Sequence, residues 1–117
     1  MRIRALVAAL LITVAAAALL ADARDDAKEQ VQFGIGMAQR NLWNEARRRF
    51  LRAVEIDPSY AAAYNNLAIS YEHQGEFDEA AAAYEKALKL EPNNANIRQN
   101  YELFKEINDR TNRDNGQ

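Results

Sequence analysis

The 117-residue chain contains no cysteine, one histidine, one tryptophan, two prolines and four glycines. Each scarcity removes a class of chemistry. Without cysteine there is no disulfide, no thiolate metal ligand, no Cys–His nucleophile and no lipid-modified cysteine. One histidine, His73, and scattered carboxylates make no ligand spacing for a metal. A Ser-His-Asp arrangement would have to draw on Ser59 or Ser70, and nothing around either signals an oxyanion site or a pocket. Gly34-Ile35-Gly36 is not a dinucleotide fingerprint, because no strand precedes it and the third glycine is missing. His73 reads as a solvated histidine near a helix C-terminus, where its partial charge is favourable. The expectation is therefore no enzymatic activity, no cofactor and no metal.

Positive charge is scarce as well. The formal net charge is −2. Without residues 1–23 the chain loses Arg2, Arg4 and Asp22, which leaves 13 basic and 16 acidic side chains. Segment 27–60 holds six basic and four acidic residues, whereas 61–94 holds two basic and six acidic. Such a balance argues against nucleic-acid binding. Arg47, Arg48, Arg49 and Arg52 form the one basic cluster, with Glu45 and Glu55 near enough along a helix to neutralise part of it. It reads as a solvated helix face or as a contact for an acidic partner or anionic headgroups.

What the sequence does contain is an internal period. Pro58 and Pro92 stand 34 residues apart, and laying 27–60 over 61–94 pairs residues of like size throughout. Phe33 falls on Leu67, Gly34 on Ala68, Ile35 on Ile69 and Met37 on Tyr71. Trp43 falls on Phe77, Ala46 on Ala80, Phe50 on Tyr84 and Ala53 on Ala87. A repeat of this length decides the architecture before any local reading does. Arginines 47, 48, 49 and 52 fall on Ala81, Ala82, Ala83 and Lys86, so the basic cluster is not part of the repeat plan.

The second copy, in Tyr64, Leu67, Ala68, Tyr71, Ala80, Tyr84, Ala87 and Pro92, resembles the tetratricopeptide repeat family. The first copy departs from that pattern at Gln30 and Met37, as a terminal repeat with a less covered face would. The resemblance spans about residues 26–108 and implies an all-α solenoid of two helical hairpins, 27–60 and 61–94, with a capping helix over 94–108. Each hairpin then has an apolar face that only a neighbour can bury.

Local signals place five helices after the N-terminal segment. Asp26 and Glu29 have the spacing of a capping box that would open the first near residue 27, and Asn41 ends it. The second runs from Asn44 to about Asp57, where Pro58 cannot continue a helix. Ser59 is the expected cap of the third, Tyr60–Gln74, and Gly75 its left-handed stop. The fourth runs from Phe77 to Glu91 and the fifth from about Asn94 to Asn108. The tail 109–117 is polar and expected to be disordered.

The N-terminus has export character. Arg2 and Arg4 precede an apolar run from Ala5 to Ala21, and Ala21-Asp22-Ala23 offers small residues where a signal peptidase reads them. Residues 1–23 are read as a signal peptide, which would place the protein in the periplasm or cell envelope. The alternative is an uncleaved inner-membrane anchor, since seventeen helical residues span about 25 Å, short of a ~30 Å hydrocarbon core but near the lower limit of real spans.

The family resemblance also implies a groove lined by the first helices of successive repeats, which takes a segment of a partner protein. Carried over by position, it comprises Lys28, Val31 and Ile35, then Asn65, Asn66, Ile69, Glu72 and His73, then Asn96, Gln99, Asn100 and Leu103. Ile35, Ile69 and Leu103 recur as an apolar rail. Gln32, Asn66 and Asn100 recur as an amide rail, able to bond an extended backbone or, alternatively, one another within the stack. Relatives that grip acidic chaperone tails carry Lys and Asn where this chain has Val31 and Ile35, Asn at Asn66, and Lys and Arg where it has Asn96 and Asn100. Only Asn66 agrees, and every charged member is missing. Capture of a free carboxylate is therefore not expected. The combined expectation is an exported adaptor, with a membrane-tethered scaffold or a self-assembling module as alternatives.

Overall fold

The computed structural model describes residues 2–116. Those residues form five helices: α1 (Arg2–Gln39), α2 (Trp43–Ile56), α3 (Ala61–His73), α4 (Phe77–Leu90) and α5 (Ala95–Asp114), with no strand among them. Helix α1 packs along α2, α3 along α4, and α2 and α4 meet the helices that follow them. Contacts also run from α1 to α3 and from α3 to α5. The odd-numbered helices therefore form one layer and the even-numbered the other, as the period requires.

The turns repeat with the same 34-residue interval. Leu42 N–H donates to the Met37 carbonyl and Glu76 N–H to the Tyr71 carbonyl, at 3.0 and 2.9 Å. The residues between adopt positive φ, 60° at Asn41 and 74° at Gly75. Both hairpin turns thus close the same way, with a left-handed residue that satisfies the last carbonyls of the helix. The proline turns match too, Tyr60 N–H bonding Asp57 at 3.1 Å and Asn94 N–H bonding Glu91 at 3.2 Å.

Small residues set the spacing inside each hairpin. Gly34 is buried, and a Cβ there would fall 2.7 and 2.9 Å from the Cδ1 and Cζ atoms of Phe50. Ala68 and Ala80 are fully buried beside Tyr84, itself 1 % exposed. The third register position after Gly34 and Ala68 is Glu102, exposed and paired with Lys105 at 2.9 Å. Helix α5 instead buries Ile97 and Phe104, with Tyr101 and Phe104 against Tyr84 at centroid distances of 5.6 and 5.5 Å. Burial, then the Glu85 hydrogen bond and the charges of Glu85 and Glu102, push the Tyr101 hydroxyl up to about 12.

Three expectations need correction. The first helix does not open at residue 27: α1 runs unbroken from Arg2, because no proline or glycine interrupts residues 2–33. Asp26 lies inside that helix, so its amide needs no capping box. Ser59 does not cap α3. Its N–H and hydroxyl both donate to Asp57 Oδ1, at 3.0 and 2.7 Å, and close the turn, while Tyr60 takes the cap position without a side-chain bond. The tail is not disordered over 109–114, where α5 continues to Asp114, supported by the Glu106–Arg110 pair at 2.8 Å.

Where α1 enters the repeats it is clasped. Among the described side chains of α1, Ala23 and Arg24 are the first that are half-buried. Arg24 Nε donates to Asp57 Oδ2, and its Nη2 reaches the carbonyl and hydroxyl of Ser59 at 3.3 and 3.2 Å. Its guanidinium lies 4.8 Å from the Tyr60 ring centroid. Burial by itself would raise the Asp57 carboxyl, but hydrogen bonds from Ser59 and Arg24 outweigh it and hold the group below its ordinary value.

Gly34→Ala is expected to force Phe50 from its place and lower stability by about 1–3 kcal/mol. Gly36→Ala, whose Cβ would meet nothing within 4 Å, is expected to raise stability by about 0.5–1 kcal/mol. Thermal or urea unfolding of the two variants checks both signs. Because the Tyr101 pKa is raised on folding, the unfolded chain releases this proton first, so stability is intact below about pH 10 and falls from there towards 12. Tyr101→Phe is expected to make that alkaline decline shallower in a series of denaturant titrations.

Candidate functional site

The face formed by α1, α3 and α5 carries a cleft of about 260 Å³ between the two repeats. Ile35, Ala38 and Gln39 of α1 form one wall, Asn66 and Ile69 of α3 the other, and Trp43 and Phe50 of α2 the floor. It lies where α1 and α3 both pack against α2, with Trp43 and Phe50 of α2 lining the space between them. No charged residue lines it. At its rim His73 stacks on Trp43, with ring centroids 3.8 Å apart and planes within 8°. The Asn66 amide donates to the Ala62 carbonyl of its own helix at 2.8 Å, leaving its oxygen as acceptor.

Of the sequence-derived groove residues, Ile35, Asn66, Ile69 and His73 are brought together at this cleft. Val31 is a correction. It is 2 % exposed and belongs to the core with Ala27 and Phe50, since its place on α1, four residues after Ala27, turns it towards the neighbouring helices. Glu72 is half-buried and accepts from the Tyr84 hydroxyl at 3.0 Å, so it braces α3 against α4. Burial and then the Glu72 charge and hydrogen bond raise the Tyr84 pKa well above the tyrosine range. Lys28 is exposed on α1 outside the cleft.

The amide positions do not form the rail that their spacing implies. Asn100 donates to Asn65 at 3.1 Å across the α3–α5 contact and to Asn96 at 3.2 Å. These amides therefore tie the capping helix to the second repeat, while Gln32 is exposed. Gln99 and Leu103 sit on the outer flank of α5 beside a shallow second cleft that involves α5 alone. Trp43, Phe50, Ala38 and Gln39 were missed. The signal for Trp43 lay in the repeat itself: it shares a register with Phe77, and each ring meets the next odd-numbered helix, Phe77 lying 6.3 Å from Phe104.

Residues 61–94 match the family described as Tetratricopeptide repeat, and residues 38–75 match TPR repeat. The chain belongs to the tetratricopeptide repeat family. Among curated relatives, the type IV pilus assembly protein PilF of Pseudomonas aeruginosa is 37% identical over 82 residues, 69% of this chain and 32% of that protein. A probable UDP-N-acetylglucosamine–peptide N-acetylglucosaminyltransferase SPINDLY of Solanum lycopersicum is 40% identical over 59 residues, 50% of this chain and 6% of its own length. The chain thus spans a third or less of these relatives. Among solved structures, that of MamA superposes with a TM-score of 0.66 at 28% identity, covering 71% of this chain and 48% of the other. Tetratricopeptide repeats form a protein–protein interaction module, and two of them with a covering helix are what this fold contains.

Proposed function

We propose that this protein is an exported, non-catalytic adaptor that holds a segment of another protein against the face built by α1, α3 and α5. The carrying observation is the uncharged, aromatic-floored cleft between the repeats, flanked by an amide oxygen at Asn66 and the Trp43–His73 stack. An apolar recess beside a free acceptor suits one bulky side chain and the backbone N–H next to it. Among the described residues, no group of three or more His, Cys, Asp or Glu side chains is placed to hold a metal ion.

Placement in the cell envelope is supported by the N-terminal segment. Ile3, Leu6, Leu10, Leu11, Leu19 and Leu20 are all at least 64 % exposed on α1. Apolar surface of that extent does not stay in water, so the segment is either removed or embedded in lipid. Similarity to a pilus assembly protein agrees with an envelope role. A membrane-tethered scaffold is the second reading, favoured by the continuity of α1 from its apolar part into the first repeat.

Peptides selected from a random displayed library by the full chain are expected to shift the emission of Trp43, the single tryptophan. Ala38→Phe, which fills the cleft, is expected to weaken them by about tenfold or more with helix content unchanged. Equal affinity for that variant ends the groove reading. Intact mass of the protein from envelope fractions separates the two placements: loss of residues 1–23 excludes the tether, and retention selects it.

A further inference from the structure

The basic cluster of α2 is left unused by the groove, and the fold gives it a setting of its own. A third cleft, of about 270 Å³, lies between α1 and α2 and is lined by Gln30, Met37, Glu45, Arg48, Arg49 and Arg52. Arg49 is the centre of it. Among the described residues no carboxylate pairs with it; Nη1 meets Gln30 Oε1 at 3.3 Å, and the guanidinium lies 5.6 Å from the Phe33 ring centroid. Arg48 and Arg52 meet Glu45 and Glu55 at 3.4 and 3.2 Å, with every one of these four side chains at least 47 % exposed. Pairs so exposed are weak and exchange readily with another partner.

Register shows what is missing beside this cluster. Phe33 shares its place with Leu67, which is buried in the core, and with Tyr101, whose ring meets Tyr84 of the preceding even-numbered helix at 5.6 Å. Leu67 is 5 % exposed, whereas Phe33 is 50 % exposed. Gly36, two positions on from Gly34, has nothing within 4 Å of where a Cβ would be. This edge of α1 is an inter-repeat face without a cover. The covered interface between the repeats already uses the same chemistry, for Arg47 of α2 lies 5.6 Å from the Tyr71 ring of α3 and bonds Glu76 at 2.8 Å.

We propose that the open α1 edge, with Phe33, Met37 and the arginines 48, 49 and 52, docks an acidic amphipathic helix of a partner protein. That helix lies along α1 where the second helix of a preceding repeat would lie. Its apolar stripe covers Phe33 and Met37, and carboxylates one turn apart on its flank replace Glu45 and Gln30 as partners of Arg48 and Arg49. The charge pattern selects a protein over a bilayer. Glu45 and Glu55 are interspersed with the arginines, and a uniformly anionic lipid surface meets both signs, whereas acidic residues on a helix are spaced to avoid the carboxylates.

The test uses the full chain in detergent with fluorescent 20-residue amphipathic helical peptides of Leu, Ala and Glu, and a matched peptide with Lys for Glu. The acidic peptide is expected to bind at least tenfold more tightly than the basic one and to weaken as salt rises. Arg48→Ala/Arg49→Ala and Phe33→Ala are each expected to weaken it about tenfold at unchanged helicity, with Arg49→Lys intermediate because the planar stack is lost. Ala38→Phe, which closes the other cleft, leaves it unaltered, so this site and the groove stand or fall separately. Equal binding of the two peptides, indifference to the arginine and Phe33 substitutions, or binding of anionic phospholipid vesicles or single-stranded DNA in place of the peptide would each overturn the proposal.

Discussion

Close approach of the two helices within each hairpin governs this molecule. Gly34 lies against Phe50, and Ala68 and Ala80 lie beside Tyr84, so small residues face one large ring in both repeats. That pairing fixes how far apart α1 and α2, and α3 and α4, can stand. The distance in turn decides how deep the cleft between repeats is and which side chains floor it. Phe50 belongs to both, filling the space above Gly34 and forming part of the cleft, so packing and recognition share a side chain.

The period of 34 residues made most of the fold legible. It located both hairpins and the helix ends at Asn41 and Gly75, because these features depend on residue size and backbone freedom that the sequence displays directly. Capping was less legible. Ser59 has the chemistry of a helix cap, yet Asp57 two residues earlier is the stronger acceptor and draws both of its donors into a turn. The capping-box spacing at Asp26 and Glu29 had no meaning inside a helix nucleated well upstream.

The candidate site was half legible for a related reason. A position can be transferred from one repeat to the next, but its exposure depends on what flanks it. Val31 sits on the same turn as expected and is buried, because the helices packed against α1 enclose it in the core. Asn65 and Asn100 have the amide groups that suit an extended chain, and their donor and acceptor meet each other first. Trp43 escaped notice because its partner, His73, is 30 residues away and comes into stacking range only when α3 folds back.

Glu102 gives the assembly a direction. At the place where the first two repeats have glycine and alanine, a charged side chain stands in water, held by Lys105. A ring like Phe50 or Tyr84 has nowhere to settle there, so the pile of hairpins is sealed on that side. The opposite side, at Phe33, has no such stopper. The partner helix proposed above would therefore extend the stack at the Phe33 end and not beyond α5.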